Sequence, residues 1–265
     1  MRRHLAFDCS GVTLAGSLDE ADGSAGLLWV GGGNEIRSGA FAGQAQLAAR
    51  IARAGFPVFR FDRRGVGDSE GDNRGFRASG GDIEAAAAAF RAHCPRLRRI
   101  VAFGNCDAAS ALMLGGGVAA DALVLANPWT IEDEEDAPPP AAVRARYAGK
   151  LKDPREWLRL FTGRISLTKL ARGLVRAATP AAPPTTLAQE IGAGLGKFGG
   201  AVRILVAEND RTAQARIAAI PVGEEGLRRC VGASHAFVEP HAREWLLAEL
   251  TAMLANEQAR QLDMG

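Results

Sequence analysis

The sequence runs to 265 residues, is 47% hydrophobic and carries a formal net charge of +2. That length fits one large α/β domain with room for an insertion, and the apolar content is ordinary for a globular core. The near balance of charge gives no reason to expect nucleic acid as a partner, and no apolar run approaches the ~20 residues needed to span a membrane.

The start, Met1-Arg2-Arg3-His4, is basic, but Phe7-Asp8-Cys9-Ser10 interrupts the chain before an apolar stretch develops. A signal peptide is therefore not expected. Cys9, Cys94, Cys106 and Cys230 are scattered without a C-x-x-C pair, so neither a zinc site nor a disulfide framework is expected. A cytoplasmic location follows as the expectation, since thiols stay reduced there.

Taken in order, residues 4–18 alternate loosely around Ser10-Gly11 and predict two short strands with a turn. Leu27-Leu28-Trp29-Val30 predicts a buried strand running into Gly31-Gly32-Gly33-Asn34. Between Phe41 and Ala54 the spacing is helical, with Leu47, Ile51 and Ala54 on one face and Gly55 as the cap. A strand over 56–61 ends in Asp62-Arg63-Arg64-Gly65-Val66-Gly67-Asp68-Ser69. That stretch reads as structural: the glycines allow a tight turn, and Asp and Arg can satisfy buried backbone groups. An alanine-rich helix is predicted from Asp82 to His93.

Ile100-Val101-Ala102-Phe103 then leads into Gly104-Asn105-Cys106-Asp107-Ala108, and a small-residue helix, about Asp107 to Leu114, leads out. This is the strand, tight turn and helix of a nucleophile elbow, with Cys106 at the apex and the pattern G-x-C-x-A. Residues 122–126 form the next expected strand, ending at Asn127-Pro128-Trp129. Five acids, Glu132 to Asp136, and Pro138-Pro139-Pro140 read as a solvated linker. Helices without strands follow, one opening at Asp153-Pro154 and carrying Trp157 and Phe161, another at Ser166. Strand signal returns at 202–207, before Glu208-Asn209-Asp210, and at 227–231, before Gly232-Ala233-Ser234-His235. A last helix starts at Glu239-Pro240 with Trp245, Leu246, Leu250, Met253 and Leu254 as its core side, and residues 257–265 are expected to fray.

The division that results is a core of 1–129 and 199–265 interrupted by a helical cap over 130–198. Alternating strands and helices predict a mainly parallel sheet. Such sheets place ligands at the carboxyl ends of their strands. The glycine run, Cys106, Asp210 and His235 all follow strand ends.

Cysteine attacks as thiolate, and a free thiol with a pKa near ~8.5 is mostly protonated at neutral pH. A helix N-terminus and a histidine are the two devices that would lower it here. Of the four histidines, His4 lies in the terminal segment, His93 at a helix end and His241 in the last helix. His235 alone follows a strand at the right edge. Asp210, after the preceding strand, is the candidate orienting acid, with Glu208 its nearest rival.

The elbow, the D-x-R-G-x-G-x-S stretch at 62–69 and the order nucleophile, acid, histidine resemble the α/β-hydrolase superfamily, in a variant with a cysteine nucleophile. The stretch at 62–69 and the cap look like its lipase and serine-aminopeptidase-like branch. Cys-His-Asp triads are known in its dienelactone-hydrolase-like members. Gly104 to Ser110 is similar to hydrolases encoded beside exosortase systems in bacteria. Ala207 to Asp210 resembles the family's G-x-x-D turn, with Ala in place of Gly. The resemblance implies an α/β-hydrolase fold, a mainly parallel central sheet flanked by helices, with a cap that shapes an acyl pocket. It also implies an oxyanion hole. One donor would be the backbone N–H of Asp107, whose side chain is then free to point away. The second would come from Gly32 or Gly33.

The implied activity is hydrolysis of an ester, thioester or lactone through an acyl-cysteine, on a small-molecule acyl substrate and with no cofactor or metal. Two alternatives use the same fold: an acyltransferase with the same triad, and a binding protein in which Cys106 is a small buried residue. Dinucleotide binding at Gly31-Gly32-Gly33 fits poorly, because Ile36 is not small and Asp62 lies beyond the expected ~20 residues.

Overall fold

A computed structural model of the chain describes residues 1–115, 119–130, 186–210 and 226–263. Among them, eight strands form one sheet: β1 (Arg2–Cys9), β2 (Val12–Asp19), β3 (Ala25–Val30), β4 (Val58–Phe61), β5 (Arg99–Asn105), β6 (Ala122–Ala126), β7 (Ala201–Ala207) and β8 (Leu227–Cys230). Their spatial order is β1-β2-β4-β3-β5-β6-β7-β8. β1 and β2 form the expected hairpin around Ser10-Gly11, and β2 pairs antiparallel with β4. Every other pairing is parallel.

Five helices among the described residues flank the sheet: α1 (Gly43–Arg53), α2 (Gly80–His93), α3 (Asp107–Leu114), α4 (Thr186–Gly196) and α5 (Pro240–Asp263). Successive strand residues point to opposite faces. Leu27, Trp29, Val101 and Phe103 therefore pack on α1 and α5, through Leu47, Ile51, Leu250 and Leu254. Leu28, Val30, Ala102 and Leu125 face the other way, against α2, α3 and α4, through Ile83, Phe90, Leu112 and Ile191. Covering both faces explains why the central strands read as unbroken apolar runs.

Two expectations are corrected. α1 begins at Gly43, because Phe41 and Ala42 stand at φ 51 and 56. It has ended before Ala54, which is exposed, while Leu47 and Ile51 are buried as their spacing predicts. α4 packs Leu187, Ile191 and Leu195 into the same buried cluster as the strands. The acidic linker and the helices expected at Asp153 and Ser166 lie outside the described residues. The last helix does not fray at 257; it continues to Asp263. Glu257 is fully buried and accepts hydrogen bonds from Arg99 Nε at 2.7 Å and Arg260 at 3.0 Å. An acid read as a solvated end is instead the anchor of α5 on β5.

Glu257→Ala removes the acid between two guanidinium groups and leaves Arg99 without this partner. Loss of one member of a buried ion pair costs about 3 kcal/mol. Urea unfolding should show that loss, and Glu257→Gln should recover part of it.

Candidate active site

β5 delivers the chain directly into α3, and Cys106 stands between them at φ 61 and ψ −125. A non-glycine residue rarely adopts this backbone, and it persists only where its surroundings over-determine it. Those surroundings are visible. A Cβ on Gly104 would come within 2.7 Å of the Ala108 carbonyl carbon, so only glycine lets α3 start this close to β5. The Cys106 N–H donates to Ala126 O at 2.9 Å, and the Trp129 N–H donates to Cys106 O at 3.2 Å. The end of β6 thus holds the turn from beside it.

β7 ends at Ala207, and the Asp210 N–H bonds back to Ala207 O at 3.1 Å. β8 ends at Cys230, and the turn after it presents His235. The His235 ring bonds through Nδ1 to Asp210 Oδ2. With Nδ1 occupied, Nε2 is the nitrogen left for Cys106, which lies near enough to the ring to help raise its pKa. The hydrogen bond to Asp210 is the main reason the His235 pKa is pushed up to about 10; the neighbouring Cys106 and the charge of Asp210 add to it, while desolvation opposes it. Asp210 is mostly buried and the His235 side chain is 45% exposed. Cys106, His235 and Asp210 therefore come together, from three separate strand ends.

The rival residues are otherwise engaged. Glu208 Oε2 accepts the Gly232 N–H at 2.8 Å, and Asn209 Nδ2 donates to Gly232 O at 2.9 Å. Both pin the β8 turn. His4 bonds Ser17, and His241 bonds Val231 O.

The glycine loop differs from expectation in one respect. The Asp107 side chain does not point away. Its Oδ1 accepts the Gly33 N–H at 2.7 Å, and its Oδ2 lies 3.5 Å from Arg63, which also donates to Gly33 O. A carboxylate at the first position of α3 finds a cation and an N–H within reach, and binding both offsets its desolvation. A Cβ on Gly32 would meet Asn105 O and Asp107 Oδ1, each at 2.8 Å. The Gly32 N–H has no hydrogen-bond partner among the described residues.

Beside the loop lies a cavity of about 90 Å³, lined by Gly32, Glu35, Gln44 and Asn105 with Trp29 and Phe103 in its apolar wall. Burial pushes the Glu35 carboxyl up, against hydrogen bonds from the Ala40 N–H and Gln44 and the charge of nearby His235. The sequence pattern does not single out Glu35, Asn105 or Asn127 as site residues. A usable signal existed for Asn127 alone, since it follows a strand end just as Asp210 does.

The stretch at 62–69 is structural in the way its residue types suggest. Asp62 is fully buried and accepts the N–H groups of Arg37 at 2.5 Å and Asp68 at 3.1 Å. Ser69 Oγ donates to Asp62 O at 2.7 Å and accepts the Ala15 N–H at 2.9 Å.

A family model described as the alpha/beta hydrolase family matches residues 27–249. The chain belongs to that family. It is an enzyme of the α/β-hydrolase type. No curated protein matches it. Among solved structures it resembles the alpha/beta hydrolase GrgF from Penicillium sp. sh18, at 16% identity and a TM-score of 0.58 over 99% of this chain and 97% of the other. It also resembles an esterase from Pyrococcus furiosus, at 16% identity and a TM-score of 0.56 over 97% and 91%. A proline iminopeptidase from Mycobacterium smegmatis matches at 14% identity and a TM-score of 0.59 over 98% and 100%. These likenesses are of fold. Among the described residues of this α/β hydrolase, no helix is long and apolar enough to cross a membrane, and no group of three or more His, Cys, Asp or Glu could hold a metal ion.

The raised His235 pKa has a testable sign. The charged ring is favoured by its partners, so the stability it contributes is fully present below its ordinary value of 6.5 and is lost as pH rises through about 10. In Asp210→Asn the largest cause is gone, and an NMR titration of the ring should move down toward 6.5. A wild-type ring that titrates at the ordinary value would contradict the geometry.

Proposed function

We propose that this α/β hydrolase cleaves a carboxylic ester, thioester or lactone through an acyl-cysteine, with Cys106 as nucleophile, His235 as acid and base, and Asp210 as the acid that orients it. The observation that carries this reading is the hydrogen bond between the His235 ring and Asp210 with Cys106 beside the same ring, the cysteine held on a strained turn.

The reaction divides into two halves. The Cys106 thiolate forms a bond to the carbonyl carbon, and the C=O electron pair moves onto oxygen. The Asp107 N–H at the start of α3 donates to that oxyanion, and α3's dipole favours negative charge there. Gly33 has already committed its N–H to Asp107, so the unpaired Gly32 N–H is assigned as the second donor. Collapse of the intermediate breaks the bond to the leaving group, which takes its proton from His235. In the second half His235 accepts a proton from water as the water attacks the thioester, and the thiolate leaves. An alcohol or amine in place of water would turn the same intermediate to acyl transfer. The chemistry needs a reduced thiol, which suits a reducing cytoplasm; all four cysteines are free. The similarity of residues 104–110 to hydrolases encoded beside exosortase systems is compatible with this assignment.

Turnover of p-nitrophenyl acetate and butyrate by the wild type, with none by Cys106→Ala, is the expected result, together with an acyl adduct on the wild type in intact-mass spectra. Equal activity in the two proteins would sink the assignment. Gly32→Ala drives a methyl group against two oxygens at 2.8 Å, and displacing the donor should lower kcat by roughly 10²–10³.

A further inference from the structure

Asn127 directly follows β6, is 2% exposed and stands at φ 42. Its side chain uses both ends. Oδ1 accepts the Ala207 N–H at 2.8 Å, at the end of the strand that leads to Asp210. Nδ2 donates to His235 O at 2.9 Å and to Asn105 Oδ1 at 3.1 Å. Asn105, the residue before Cys106, donates its own Nδ2 to the same His235 O at 3.1 Å. The amide's orientation follows from its partners, because a backbone N–H requires the oxygen and a carbonyl requires the nitrogen.

We infer that Asn127, with Asn105 beside it, is a positioning residue that sets the place of His235 relative to Cys106; this rests on the proposed roles of those two residues. Asp210 orients the ring through Nδ1. It does not locate the residue's main chain. That is done at the carbonyl, where two amide groups converge from the nucleophile's strand and its neighbour. One side chain thereby ties the acid's strand, the elbow and the histidine into a single unit.

The residue type is demanding. Asn tolerates the left-handed backbone better than most non-glycine residues. It also supplies a donor and an acceptor on one flat group. Asp keeps the acceptor and loses the donor. Gly keeps the backbone and loses both. The charged and titratable groups around the ring are Asp210, Cys106 and Glu35, and Asn127→Asp adds a carboxylate to them.

Asn127→Asp removes the donor. It preserves size and the acceptor for Ala207, and sets a carboxylate oxygen against His235 O and Asn105 Oδ1. Asn105→Ala removes the other donor and adds no charge. The readouts are the rate of Cys106 alkylation by iodoacetamide at pH 7, followed by intact mass with Cys106→Ala as the blank, and kcat and KM for p-nitrophenyl butyrate. In both folded variants alkylation should slow and kcat should fall, by roughly 10² in Asn127→Asp and by less in Asn105→Ala, with KM little changed, as for a misplaced catalytic group. Asn105→Ala decides the matter if Asn127→Asp does not fold. Wild-type alkylation rates and kcat in both folded variants would overturn the inference, and so would an effect confined to Asn127→Asp, which its added charge explains. Should the wild type turn over no ester yet be alkylated faster than both variants, the positioning role stands and the ester reading fails. A wild type that turns over no ester and is alkylated no faster than the variants overturns both.

Discussion

The closeness of α3 to β5 is the constraint on which the rest of the site depends. Cys106 can stand at φ 61 and ψ −125 only because Gly104 has no side chain to strike Ala108. That approach puts the sulfur at the apex of the turn and the first N–H groups of α3 beside it. It also aims the Asp107 carboxylate back at the glycine loop, where Gly33 and Arg63 receive it. A single steric allowance at Gly104 thus organises the candidate nucleophile, its helix terminus and the loop opposite.

The parallel sheet turns that local arrangement into a site. Its strands are buried on both faces by helices, which keeps their ends in register and their loops on one edge. Cys106, Asp210 and His235 arrive there from β5, β7 and β8, elements far apart in sequence. Precise apposition needs more than a shared edge, and polar side chains supply it. Glu208 and Asn209 bind the turn after β8, while Asn105 and Asn127 bind the histidine's carbonyl. Away from this edge, Asp62 organises the loop after β4 through buried bonds to backbone N–H groups. Buried polar groups are tolerable when they are partnered, and the partners of these residues come from different segments, so their bonds also fix geometry.

Much of this was legible in the sequence because it depends on local pattern. Apolar runs bounded by turn residues marked the central strands, the spacing of Leu47 and Ile51 marked α1's buried face, and G-x-C-x-A marked the elbow. The strand-end rule singled out Cys106, Asp210 and His235 before any distance was known. The sequence also left Gly32 and Gly33 equivalent, since both are simply glycines after a strand. Only the fold distinguishes them: Gly33 gives its N–H to Asp107, and Gly32's stays unpaired among the described residues.

What tertiary structure alone decided concerns polar residues whose partners are remote. Glu257 looked like a solvated helix end, yet Arg99, distant in sequence, buries it. Asp107 looked dispensable beyond its N–H until Arg63 came within reach. Asn127 carries no periodic signal, and its importance lies in bonds to Ala207 and His235. Apolar patterning follows from secondary structure, which repeats along the chain and can be read there. Hydrogen bonds are short and directional, so their partners are determined only when packing has brought distant segments together.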